Sequence, residues 1–188
     1  MNLILTGASG TGKSTLARLA SERFGVRLAE SQTSRIAETF GGFSVINQDP
    51  EIRGQFQAAV RRNTYETLAG LVADGEPFIL DRFLDNYIYQ ALYSDEALDL
   101  EEARGLTLLA PPDGTRALLL RPVAWINKVA LANDNGRRGF FLDWQAVLRF
   151  DSGLEVLMKL LRVPYTSCDA VEMKQRLELV GKLTGWGS

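Results

Sequence analysis

Gly7-Ala8-Ser9-Gly10-Thr11-Gly12-Lys13-Ser14-Thr15 is the stretch on which the reading of the whole chain turns. Before it lies a short apolar run, Asn2-Leu3-Ile4-Leu5-Thr6. After it, Leu16, Leu19, Ala20 and Phe24 recur at helical spacing until Gly25 closes the run as a C-cap would. The expected order is strand, glycine-rich turn, helix. Within it, Gly7-x-x-x-x-Gly12-Lys13-Ser14 is a complete phosphate-loop pattern in the setting that the pattern requires. Gly7, Gly10 and Gly12 let the backbone turn tightly. The N–H groups from Gly7 to Thr15, those of Ser9 and Thr11 included, can then point at phosphate oxygens, and the helix N-terminus adds its partial positive charge. Lys13 would place an ammonium on the β- and γ-phosphates, and the Ser14 hydroxyl would bind Mg²⁺.

Working outward, Val26 to Ala29 is a second short strand with Glu30 at its carboxyl end, and Ser31-Gln32-Thr33 is ready to cap a helix. Asp49-Pro50 opens a long helix whose period is kept by Ile52, Phe56, Val60, Leu68 and Leu71 until Gly75. Pro77-Phe78-Ile79-Leu80-Asp81 is a buried strand ending in a carboxylate. Helices are expected near 84–93 and 99–109, then a turn at Pro111-Pro112-Asp113-Gly114 and a strand from Arg116 to Leu120. A helix at 125–131 runs into the polar, basic loop 132–139. Helical spacing resumes from Trp144 to Leu161, and a strand at Val163 to Thr166 and a helix at Val171 to Leu183 close the chain. Strands alternating with helices predict an α/β fold of three layers, a mainly parallel sheet of about five strands covered on both faces, in one domain spanning 1–188.

Composition narrows the chemistry. The 188 residues contain no histidine and one cysteine, Cys168. The chain therefore has no histidine base, no histidine-ligated metal, no intrachain disulfide and no thiolate cluster. With 21 basic and 23 acidic residues the net charge is −2, so the bulk positive field of a dedicated nucleic-acid binder is missing. No apolar run nears the ~20 residues that span a bilayer, which predicts a soluble, cytoplasmic chain with no membrane partner. Asn127-Lys128 is followed by Val-Ala rather than the acid of a GTPase base-reading motif. A motor or AAA machine would need more length and partner elements, leaving a small phosphoryl-transfer enzyme.

With Glu30, Phe56-Gln57, Asp81-Arg82 and Arg137-Arg138 at this spacing, the chain resembles the small P-loop nucleoside and nucleotide kinases. It is most similar to the group of deoxynucleoside kinases, thymidylate kinases and nicotinamide riboside kinase-like proteins, phage-encoded members included. The resemblance implies a P-loop NTPase fold with a helical lid at about 132–139 and ATP with Mg²⁺ as cofactors. It implies that Asp81 helps Ser14 hold the metal or orients the acceptor, and that Arg82 contacts phosphates or the catalytic carboxylate. Glu30 stands where such kinases keep the carboxylate that takes the proton of the acceptor hydroxyl, although it reads equally as a solvated residue. Phe56, Gln57 and Arg61 resemble the lining of a nucleoside pocket, although Phe56 reads as well as core and Gln57 as an exposed helix residue. Arg35 joins these acceptor-side candidates. Arg137 and Arg138 resemble the lid arginines that meet the transferring phosphoryl group.

The expected activity is transfer of the ATP γ-phosphate to a nucleoside or (deoxy)nucleotide by a monomer or homodimer. A kinase acting on a hydroxymethylated base, 5-hydroxymethyluracil in DNA, is the alternative within the class. A nucleotide-gated regulatory ATPase without an acceptor is the alternative outside it. Glu30-Ser31-Gln32-Thr33 and Asp81-Arg82-Phe83 depart from the arginine-glutamate-proline-glycine and glutamate-arginine-serine segments of the resembled families, which leaves the acceptor open.

Overall fold

A computed structural model describes residues 1–93, 97–110, 113–124 and 144–187. Five parallel strands, β1 (Asn2–Gly7), β2 (Arg27–Ala29), β3 (Phe78–Asp81), β4 (Thr115–Leu120) and β5 (Tyr165–Cys168), form one sheet in the order β2-β3-β1-β4-β5. The expected helix at 125–131 and the loop 132–139, with Arg137 and Arg138, lie outside the described residues, as do Pro111 and Pro112 of the expected turn.

Period-two alternation along buried strands sorts the core into two layers. Ile4, Leu80, Ala117 and Leu119 face one side of the sheet, where they pack with α4 (Pro50–Asp74), α5 (Asp85–Tyr93), α6 (Leu100–Leu109) and α7 (Trp144–Leu160). Leu3, Leu5, Ile79, Leu118 and Leu120 face the other, against α1 (Lys13–Phe24) and α8 (Met173–Thr184). The result is the three-layer architecture of P-loop NTPases. The stretch after β2 forms two short helices, α2 (Thr33–Thr39) and α3 (Phe43–Gln48), which close a small third cluster of Ala37, Ile46, Phe56 and Val60 against α4. No described helix is long and apolar enough to cross a membrane.

Local chemistry sets most boundaries. The Asp49 carboxylate caps α4 by accepting from the N–H groups of Glu51 at 2.9 Å and Ile52 at 3.1 Å, with Pro50 in the first turn. The last strand is displaced from its expected span, running Tyr165–Cys168 rather than Val163–Thr166. The cause is the end of α7. Arg162 takes a left-handed φ of 56°, and the Val163 N–H donates to the Met158 carbonyl at 2.9 Å, so this residue finishes the helix. Pro164 has no N–H to give a ladder, and pairing with β4 starts at Tyr165 opposite Ala117.

Candidate active site

β1 lies between β3 and β4, the place where strand order reverses and where open α/β sheets bind ligands beyond the strands' carboxyl ends. The turn at 8–12 sits there. Gly7 cannot be replaced without distortion: its φ is 143°, and a β-carbon would stand 2.4 Å from the Leu120 carbonyl oxygen. Gly12, at a φ of 87°, precedes α1 without any side-chain cap, so the first amides of α1 are not spent on a neighbouring side chain.

Lys13 is buried and curls back over the loop. Its Nζ donates to the carbonyls of Gly7 at 2.5 Å and Ala8 at 2.8 Å, and lies 3.7 Å from Asp85 Oδ1. Asp85, the first residue of α5, is 1% exposed. Its carboxylate accepts from Thr6 Oγ1 at 2.6 Å, the Phe83 N–H at 3.0 Å and the Gly7 N–H at 3.3 Å. It thereby ties the end of β1, the loop lysine and the start of α5 into one unit. Asp85 is a residue that the sequence pattern did not single out. Its one signal was an acid four residues beyond Asp81, which also suits an ordinary first helical turn.

Ser14 and Asp81 come together as expected. The Ser14 hydroxyl donates to Asp81 Oδ2 at 2.6 Å, whereas Asp81 Oδ1 is buried with no hydrogen-bond partner. A buried, unspent carboxylate oxygen beside a hydroxyl fits a hard cation of the Mg²⁺ type, which takes one or two protein oxygens and shares the rest of its shell with phosphate and water. No group of three His, Cys, Asp or Glu that could hold a metal occurs among the described residues.

Asp81 also lines a cleft with Glu30, Ser31, Gln32, Asn63, Thr64 and Arg82. Glu30 reaches it because β2 pairs with β3, Ala29 opposite Leu80. On the rim, Glu30 accepts from Arg18 Nε at 3.0 Å, and both side chains are more than half exposed, a pair of small energetic weight. Arg82 holds a left-handed φ of 83°, and its N–H donates to the Leu5 carbonyl at 2.9 Å. That conformation is strained for a residue with a β-carbon. Burial works against the Arg82 charge, but Tyr89, Asp81 and Asp85 outweigh it and hold the guanidinium above its ordinary range. Its Nε is buried with no partner.

The remaining acceptor-side candidates separate. Phe56 packs in the third cluster, with its ring edge-on to Phe40 and Phe43. Gln57 is buried, and its Oε1 has no partner. Arg61, one turn further along α4, donates through Nε to the Glu102 carboxylate at 3.1 Å and lies over the Tyr87 ring, 5.6 Å from its centroid. Burial, followed by the charge of Glu102, pushes the Tyr87 hydroxyl pKa well up, so the phenol stays protonated beside the pair. Arg35 is exposed on α2 and does not line the cleft.

Comparison with known proteins agrees with this architecture. Deoxyadenosine kinase from M. mycoides with bound dATP superimposes with a TM-score of 0.72 at 16% identity, over 98% of this chain and 100% of that one. Shikimate kinase from Acinetobacter baumannii in complex with shikimate gives 0.61 at 15% identity, over 97% and 91%. The YorR protein of Bacillus subtilis, in complex with phosphorylated GDP, gives 0.61 at 13% identity, over 98% and 96%. At these identities the likeness is one of fold. No curated protein matches in sequence. The AAA domain family matches residues 2–176, from β1 through the phosphate loop and the Asp81 strand into α8. Although its length argued against an AAA machine, the chain belongs to that AAA domain family.

Proposed function

We propose that this protein is a P-loop kinase that transfers the γ-phosphate of ATP to a small nucleoside- or nucleotide-like acceptor. The observation that carries the reading is the Ser14–Asp81 contact at the mouth of a cleft that also holds Glu30 and Arg82. One carboxylate thereby meets the phosphate-loop serine on one side and lines a small cleft on the other. That the folds sharing this architecture include proteins with a deoxynucleotide, a guanine nucleotide and shikimate bound supports a small hydroxyl-bearing acceptor.

Mg²⁺, when bound, supplies neutralisation of the β- and γ-phosphate oxygens. Ser14 and Asp81 would hold it. The loop amides and Lys13 bind the polyphosphate, and Lys13 leaves the Gly7 and Ala8 carbonyls for phosphate oxygens while Asp85 keeps its place. Glu30 accepts the proton of the acceptor hydroxyl as its oxygen attacks phosphorus and the bond to the β-phosphate oxygen breaks, releasing ADP. Arg82 orients the acceptor or steadies the charge on the transferring group. Gln57, buried on α4 with an unpartnered carbonyl, hydrogen-bonds a base edge. Arg137 and Arg138 add positive charge from the segment between β4 and α7.

Incubation with γ-labelled ATP and Mg²⁺ against nucleosides, nucleoside monophosphates, nicotinamide riboside, shikimate and hydroxymethylated DNA tests this. Label in one small acceptor is expected. Label in DNA alone would move the activity to a modified base, and label only in free phosphate would overturn the kinase reading.

A further inference from the structure

Arg176 on α8 is 1% exposed, yet among the described residues it meets no carboxylate. Its Nη1 donates to the Thr11 carbonyl at 2.5 Å across 165 residues of sequence, and its Nε donates to the Ala170 carbonyl at 2.6 Å. Nη2 is buried and has no partner. Burial pushes the guanidinium pKa down, the direction expected when the charged form lacks an anion. A β-carbon on Gly12 would stand 3.0 Å from Nη1, so the cation is set directly against the phosphate loop.

The atom that Arg176 touches matters. The Thr11 carbonyl and the Gly12 N–H are the two ends of one peptide group. A cation on the carbonyl oxygen fixes that plane, draws electron density toward the oxygen and makes the N–H at the other end a stronger donor. A buried, unpaired cation is unfavourable in the empty protein and becomes favourable when a polyanion enters the loop.

We propose that Arg176 is a positioning residue for the polyphosphate: it polarises and orients the Thr11–Gly12 peptide, and the bound phosphates supply the anion that the guanidinium lacks. This rests on the reading of residues 7–15 as a nucleotide site. It assigns to the last helix a part in binding, through the loop rather than by touching the chemistry. The same side chain joins the loop to the segment after β5 through Ala170, so a purely structural tether is the competing account.

Calorimetric binding of Mg-ATP and of inorganic tripolyphosphate separates the two, because tripolyphosphate has neither base nor ribose. Arg176→Met and Arg176→Gln both remove the charge, Gln keeping a donor. Arg176→Lys keeps the charge but gathers its donors on a single nitrogen. Circular dichroism establishes which variants are folded, and either neutral variant suffices. The neutral variant should bind tripolyphosphate and ATP more weakly by similar factors, on the order of tenfold for one charge-assisted contact. Arg176→Lys should recover most of that loss. Tripolyphosphate affinity within twofold of wild type in a folded neutral variant, a loss confined to ATP, or a Lys variant as weak as Gln would each overturn the proposal while leaving the nucleotide site standing. Wild-type protein that binds neither probe would overturn the nucleotide site itself, and this proposal with it.

Discussion

The Ser14 hydroxyl donates to the Asp81 carboxylate at 2.6 Å, joining the first turn of α1 to the end of β3. If the two share a cation, removing either should act on metal use before it acts on folding. Ser14→Ala and Asp81→Asn should each lower turnover by about 10²-fold and raise the Mg²⁺ concentration needed for half-maximal rate. The Asp81→Asn, Ser14→Ala double variant should lose little more than the worse single. Additive losses, or an unchanged Mg²⁺ dependence, would separate the pair from the metal.

Asp85 accepts from three donors and lies beside a buried ammonium, so its loss strips three groups of this acceptor and takes the negative charge away from Lys13. Asp85→Ala should cost about 3–5 kcal/mol in urea denaturation, in the range seen when one partner of a buried charged pair is removed. Thr6→Val, which deletes one of the donors, should cost about 1 kcal/mol. Equal small effects would mean that the network does not hold the loop in place.

Gln57 is buried with an open carbonyl, whereas Arg61 is already engaged by Glu102 and Tyr87. Gln57→Leu should therefore raise KM for the acceptor by roughly tenfold and leave KM for ATP unchanged. A shift in the ATP constant instead would place Gln57 on the donor side.

Away from the site, Glu155 receives hydrogen bonds from Lys159, Arg121 and Tyr165, which together lower its pKa from an ordinary 4.5 to about 2. Because the folded value lies below the unfolded one, its stabilisation is present above about pH 4.5 and is lost as pH falls toward 2. Asp151 opposes this: burial raises its pKa against the pull of Arg121, so ionising it weakens the fold as pH rises. Glu155→Gln should flatten the fall of melting temperature across that acid window. An identical acid limb in the variant would remove the network from the pH dependence.

The sheet and the phosphate loop were legible because they are local: apolar runs of strand length, a turn rich in glycine, and a helix period each announce themselves within a dozen residues. Asp81 was legible for the same reason, as an acid closing the buried run from Phe78 to Leu80. Asp85 and Arg176 were not. Their meaning lies in partners 78 to 165 residues away, Gly7, Thr6 and Thr11, which no local pattern names. The split of the segment after Glu30 into α2 and α3 escaped because its burial is supplied by Phe56 and Val60 of α4, which override weak local propensity. Arg35 illustrates the reverse case, an arginine at a suggestive sequence position that the fold leaves on the outside.

In the proposed reaction the phosphoryl group leaving ATP arrives on a small organic acceptor. Phosphorus-31 NMR of the protein with Mg-ATP and the acceptor selected from the panel measures ADP and the new phosphate ester together. Wild type should form them in a one-to-one ratio, and Lys13→Ala should form neither. ADP that accumulates with inorganic phosphate and no ester, for every acceptor offered, would contradict the account.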